Sequence, residues 1–128
     1  MKDYFESLLK TINDSINSLD MGTFEKLVGE TEATLKNGNK IIVTGLGKNV
    51  PICEKFVGTM VSLGLEASFL HTNTAVHGDL GTVHDGDIVI ILSKSGETTE
   101  SIYLFDHLVL RKVTIWAITF NEKSTLSK

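Results

Sequence analysis

Hydrophobic residues recur at helical spacing through the first 38 residues, with polar residues between them. The positions of the first stripe are Phe5, Leu8, Leu9, Ile12, Ile16 and Leu19. Those of the second are Phe24, Leu27, Val28 and Leu35. The second stripe stops at Asn37 and Gly38, a pair typical of a helix end. The pattern therefore predicts two amphipathic helices, which could pack either on the chain's own sheet or on a partner chain.

From residue 39 onward, short runs of consecutive apolar residues alternate with helical patterns. The apolar runs predict strands at residues 40–44, 67–70, 87–92 and 113–120, and helices are predicted at residues 50–63 and 96–110. Strands that are apolar on successive residues indicate a parallel sheet covered on both faces. Right-handed crossovers then give a doubly wound, three-layer αβα sandwich of the flavodoxin-like kind. We expect one domain over residues 1–128, with helices in 1–38 and the sheet core in 39–128.

Composition narrows the class of protein. The chain has 128 residues, of which 41% are hydrophobic and 22% charged, as in ordinary globular domains. Its formal charge of -4 argues against nucleic acid as a partner. A single cysteine, Cys53, allows neither an internal disulfide nor a usual zinc site, and no other metal-ligand spacing is present. No signal peptide and no apolar run of roughly 18 residues are visible, so we expect a cytoplasmic protein with no membrane partner.

Ligands of such sheets bind at the carboxyl ends of the strands, which directs attention to the loop after the third strand. There Ser93, Ser95 and Thr98 offer hydroxyl donors around Gly96, where a helix begins. Free N–H groups at a helix N-terminus favour an anion, and glycine lets the backbone approach it closely. The alternative is that Ser95 is an ordinary N-cap and Glu97 a favourable first-turn charge. The loop alone favours neither interpretation.

The loop after the first strand contains Gly47, Lys48 and Asn49. It fits neither a P-loop nor a dinucleotide-binding motif, because Val50 occupies the third glycine position and no acidic residue closes the second strand. Lys48 would lie at the mouth of the sheet, where its ammonium group could meet a phosphate or a sugar oxygen. The alternative is a solvated lysine in a turn.

A histidine follows the second strand at a similar place. His77 precedes Gly78 and Asp79 in a loop on the ligand side, where it could donate or accept a proton near neutral pH. A structural or merely exposed histidine is the alternative. His71, also on this side by topology, could have a supporting role, although the sequence favours a merely exposed loop residue.

Taken together, these three loops resemble a known family. The segments 45–48, 77–81 and 93–98 are similar, in order and context, to the arabinose-5-phosphate isomerase branch of the sugar-isomerase (SIS) domain family. The serine-rich loop is typical of SIS domains in general, and the His-Gly-Asp segment of this branch. The similarity is continuous from about residue 40 to residue 127.

The resemblance implies an aldose-ketose isomerisation between ribulose 5-phosphate and arabinose 5-phosphate, through an enediol and without a required cofactor. It implies catalytic positions at Lys48, His77 and Glu97, without showing which of them is the base. The residues that it implies for binding the phosphosugar are Gly47, Asn49, Ser93, Lys94, Ser95, Gly96 and Thr98. SIS domains generally pair, so a homo-oligomer, dimer or tetramer, is expected through the first helices.

The sequence also departs from the family pattern. The family's Gly-Lys-Ser-Gly turn is here Gly47-Lys48-Asn49-Val50. Family members continue beyond the fourth strand with a further catalytic glutamate and a second histidine, and the sequence given ends before them. These departures leave open a non-catalytic phosphosugar-binding module or a truncated enzyme fragment, with a nucleotide-binding Rossmann domain disfavoured by Val50.

Overall fold

The computed structural model describes all residues, 1–128, and the chain divides into two compact units, residues 1–30 and 31–128. The first unit contains helix α1 (Lys2–Asn17) and most of helix α2 (Met21–Lys36). No residue of α1 is buried, and its apolar stripe is exposed to solvent. The homo-oligomer expected through these helices stays a prediction.

The second unit is built on a parallel sheet of four strands. The strands are β1 (Ile41–Gly45), β2 (Ala67–His71), β3 (Ile88–Leu92) and β4 (Thr114–Ile118), in the spatial order β2-β1-β3-β4. The helices between them are α3 (Val50–Ser62), α4 (Thr72–Ala75) and α5 (Thr99–Leu108). All three strand pairs are parallel, which confirms the predicted doubly wound α/β architecture.

The core lies around the two central strands. Every residue of β1 is buried, as are the first four of β3, because both strands have neighbours on each side. Strand β4 is different: its residues are exposed or half-buried because it forms one edge of the sheet. Trp116, which its apolar surroundings predict as a core residue, is accordingly only half-buried. No helix in the chain has the length and apolarity needed to cross a bilayer.

Two details of the ligand-side loops differ from the prediction. Helix α5 begins at Thr99 rather than at residue 96, because Gly96 has φ +65° and Thr98 is extended. The segment between β2 and β3, predicted as a loop, contains α4 and a 3₁₀ turn at Asp79–Thr82. Such short turns are set by backbone hydrogen bonds and carry no apolar periodicity that a sequence could display.

Asp87 ties the amino-terminal edge of the sheet together, opposite the ligand side. Its carboxylate accepts hydrogen bonds from the backbone N–H of His84 (2.9 Å) and of Lys40 (3.1 Å). The Lys40 ammonium lies 3.4 Å from the same carboxylate. Burial by itself raises the pKa of Asp87, but these donors and the ammonium outweigh it, so the pKa lies below its usual value.

We expect Asp87→Asn to lower the free energy of unfolding by about 1–3 kcal/mol at pH 7, because one backbone N–H then faces an amide donor. A carboxyl whose pKa is depressed by folding stabilises the fold above its unfolded pKa and loses that contribution as pH falls through the folded value. The difference between wild type and variant should therefore shrink below about pH 4. Urea unfolding at pH 7 and pH 3 measures it, and a difference that grows on acidification would contradict this role.

Candidate functional site

The loops that follow β1 and β3 meet where the strand order reverses, the place where open α/β sheets bind ligands. The Asn49 side-chain amide links them by donating to the carbonyl oxygen of Leu92 at 3.1 Å. Gly45 allows this approach, since a Cβ there would lie 2.8 Å from Asn49 Cβ and 3.2 Å from Cys53 Sγ. Burial raises the pKa of the Cys53 thiol to about 11, so this cysteine is a packing residue and not a nucleophile at neutral pH.

The serine-rich loop is held by its own hydroxyl groups. The Ser93 hydroxyl is buried, accepts from the backbone N–H of Gly96 at 3.2 Å, and lies 3.1 Å from the Thr98 hydroxyl. The Ser95 hydroxyl is exposed and accepts from the backbone N–H of Glu97 at 3.1 Å. These bonds fix the turn that leads into α5.

The N-terminus of α5 has no side-chain cap. Its N-cap residue is Thr98, whose side chain makes no capping hydrogen bond and pairs with Ser93 instead. The first N–H groups of a helix have no acceptor within the helix, and the helix dipole places positive potential on them. Ser95, the alternative cap considered from the sequence, closes the turn before the helix and leaves these groups open. This end of α5 can therefore accept an anion.

A cleft of about 340 Å³ lies beside the same helix end. Its lining residues are Thr72, Asn73, Val76, His77, Thr99, Glu100 and Tyr103. The lining includes an imidazole, that of His77, and a carboxylate, that of Glu100, which are side chains that commonly serve as general acid or base. Both are exposed to solvent and neither side chain has a hydrogen bond or an ion pair. An acid and a base are thus free to reach a ligand in the cleft.

The fold brings His77 to the cleft through the residues that follow β2. His71 Nδ1 accepts from the backbone N–H of Asn73 at 3.2 Å and so caps α4. The buried hydroxyls of Thr44 and Thr72 lie 3.1 Å apart, which anchors α4 against β1. His71 thus has a supporting structural role on the ligand side.

The other residues that the resemblance implicated lie outside the cleft lining. Glu97 precedes α5, and its carboxylate accepts from the Thr125 backbone N–H at 2.7 Å and the Thr125 hydroxyl at 2.9 Å. Lys48, in the turn after β1, is exposed and its ammonium has no hydrogen bond or ion pair. Glu100 was not predicted as a site residue from the sequence. Its place in the first turn of α5 follows only from the start of that helix at Thr99, which the structure shows.

The chain was compared with known protein families and solved structures. The model of the SIS domain matches residues 34–128, and the chain belongs to the SIS domain family. This match confirms the resemblance seen in the sequence.

Individual relatives agree with the family. The arabinose 5-phosphate isomerase KdsD of Pseudomonas aeruginosa is 31% identical over 98% of this chain, which spans 40% of that protein. An uncharacterized protein of Helicobacter pylori is 34% identical over the whole chain, which spans 38% of it. Among solved structures, the E. coli CFT073 protein c3406 in complex with arabinose 5-phosphate is 30% identical, with a TM-score of 0.86 over 98% of this chain and 65% of that one. The chain thus spans about two fifths of the length of the first two relatives.

Proposed function

We propose that this chain carries the phosphosugar site of an aldose-ketose isomerase that interconverts arabinose 5-phosphate and ribulose 5-phosphate. The observation that carries the proposal is the uncapped N-terminus of α5 beside a cleft lined by His77 and Glu100. The open N–H groups at the start of α5 suit a phosphate dianion, and the side chains of His77 and Glu100 suit proton transfer. KdsD relatives and the arabinose 5-phosphate complex of a similar structure support this choice of substrate.

The phosphate of the sugar would bind at the serine-rich loop. The open N–H groups at the start of α5 and the exposed Ser95 hydroxyl are the donors, and Thr98 can add a second hydroxyl. The ammonium groups of Lys48 and Lys94 are exposed in the loops after β1 and β3, where they add positive charge. Anchoring the phosphate in this way would hold the carbonyl end of a short sugar at a defined distance from it.

The isomerisation itself requires a proton to move between C2 and C1 of the open-chain sugar. We assign its removal from C2 to the Glu100 carboxylate, which leaves the electron pair in a C1–C2 double bond and negative charge on the C1 oxygen. His77 would donate a hydrogen bond to that oxygen. Return of the proton from Glu100 to C1, with transfer of the C2 hydroxyl proton to the C1 oxygen, gives the ketose. No oxidant or reductant is consumed, since the two carbons exchange oxidation state.

The proposal is tested by incubating the purified chain with arabinose 5-phosphate and measuring the appearance of ketose. We expect turnover that is proportional to protein concentration and absent with unphosphorylated arabinose, which lacks the anchor. Ribose 5-phosphate and glucose 6-phosphate, assayed alongside, define the sugar preference. Phosphosugar binding without turnover would favour a non-catalytic binding module, and neither binding nor turnover with any sugar phosphate would refute the proposal.

A further inference from the structure

The segment that follows β4, residues 119–127, lies along the serine-rich loop. Three consecutive carbonyl groups of the loop accept hydrogen bonds from it. These bonds are Phe120 N–H to Lys94 O (3.1 Å), Thr119 Oγ1 to Lys94 O (3.2 Å), Asn121 Nδ2 to Ser95 O (3.2 Å) and Leu126 N–H to Gly96 O (3.3 Å). The next residue of the loop, Glu97, is bound through its side chain by Thr125.

The Glu97 contact is the shortest of the set, and both carboxylate oxygens take part in it. One accepts the Thr125 backbone N–H at 2.7 Å and the other accepts the Thr125 hydroxyl at 2.9 Å. Ser124 and Leu126, on either side of Thr125, are buried, so this end of the segment is packed against the domain. Glu97, which is exposed near the end of the serine-rich loop, therefore joins the loop to an anchored piece of chain.

We propose that Glu97 is a positioning residue, which holds the serine-rich loop in its anion-binding form by bridging it to Thr125. The inference rests on the proposed function and assigns Glu97 a role that differs from proton transfer. Its carboxylate acts on the phosphate site through Thr125 and makes no contact with the reacting carbons.

Two physical consequences of the bridge favour phosphate binding. In a trans peptide the carbonyl oxygen and the following N–H point in opposite directions, so the carbonyls tied to residues 119–127 turn the N–H groups of residues 95–97 away from that segment. Those of Gly96 and Glu97 then bond to Ser93 and Ser95, which fixes the turn, and that of Ser95 has no protein acceptor. The bridge also keeps the Glu97 charge occupied by two donors. A Glu97 carboxylate released from Thr125 would repel a phosphate dianion bound at the loop. Loss of the bridge would also allow the loop carbonyls to turn towards the phosphate.

The test compares four variants with the wild-type chain. Glu97→Ala removes the bridge, and Thr125→Val removes only its hydroxyl half. Thr125→Ser retains both donors and is the conservative rescue. Glu122→Ala is the matched control, since Glu122 belongs to the same segment and its carboxylate has no hydrogen bond or ion pair. Calorimetry with inorganic phosphate gives Kd, the arabinose 5-phosphate assay gives KM and kcat, and melting temperatures report folding.

We expect Glu97→Ala to raise Kd for phosphate and KM by about 3- to 30-fold, with kcat within about twofold of wild type. Thr125→Val should show a smaller change in the same direction, and Thr125→Ser and Glu122→Ala should match wild type. If Glu97→Ala does not fold, the Thr125 pair decides the question by the same comparison.

The outcomes separate this inference from the proposed function. A wild-type chain that binds phosphate while Glu97→Ala and Thr125→Val bind it equally well overturns the positioning role alone. A loss confined to kcat in Glu97→Ala also overturns it and returns Glu97 to the catalytic group. A wild-type chain that binds neither phosphate nor sugar phosphate overturns the proposed function and the inference together.

Discussion

Replacing Glu100 with glutamine is expected to lower kcat for arabinose 5-phosphate by roughly 10²- to 10⁴-fold, the usual contribution of a general base. Glutamine has nearly the same shape, so the cleft keeps its lining and the phosphate anchor is unchanged. KM should therefore stay within a few-fold of the wild-type value. A steady-state assay across substrate concentrations separates the two parameters.

The control for this variant is Glu66→Gln. Glu66 is exposed, precedes β2 at the opposite edge of the sheet, and undergoes the same change of charge. It should retain wild-type kcat and KM. If Glu100→Gln retains wild-type kcat, or if kcat falls equally in Glu100→Gln and Glu66→Gln, Glu100 is not the catalytic base.

Gly96→Ala is expected to lower the free energy of unfolding by more than about 2 kcal/mol and to abolish phosphate binding at concentrations that saturate the wild type. Gly96 has φ +65°, a conformation that costs alanine about 1–2 kcal/mol. Its new Cβ would also overlap the Ser124 side chain and lie 3.0 Å from Thr119 Oγ1. The loop can relieve the overlap only by leaving residues 119–127. Urea unfolding and phosphate calorimetry measure the two effects.

Gly64→Ala isolates the conformational part of that cost. Gly64 has φ +76°, but a Cβ there meets nothing within 4 Å. The free energy of unfolding of Gly64→Ala should fall only by the cost of the strained backbone conformation, about 1–2 kcal/mol. The variant should bind phosphate normally. Equal destabilisation in the two variants would show that the overlap with Ser124 is relieved without cost, and that the loop does not depend on its fit against residues 119–127.

The fold was largely predictable because apolar patterning and chain connectivity determine it together. Runs such as residues 88–92 are apolar on successive positions, which is typical of a strand covered on both faces. Handedness and the short connections then leave few topologies. The exposed edge position of β4, and the half-buried Trp116 that results, were less predictable, since an apolar strand reads the same whether or not it has a neighbour on each side.

The sequence predicted which loops form the candidate site, but not which residue in them has which function. The sequence places the serine-rich loop, the Lys48 turn and the His77 segment at the carboxyl ends of strands, because parallel strands all end at one edge. It does not reveal where α5 begins. Gly96 and Thr98 delay the helix start to Thr99, and that delay decides which glutamate lies in the first helical turn.

The sequence by itself thus determined the SIS resemblance, the parallel sheet and the edge at which ligands bind. The tertiary structure alone decided that Glu100 lines the cleft with His77 and that Glu97 binds Thr125, a residue 28 positions away. The physical reason is the range of each interaction. Periodicity and strand ends are local properties that can be read along the chain. The bond between Glu97 and Thr125 exists only after β4 has paired with β3 and carried the last residues back to the loop.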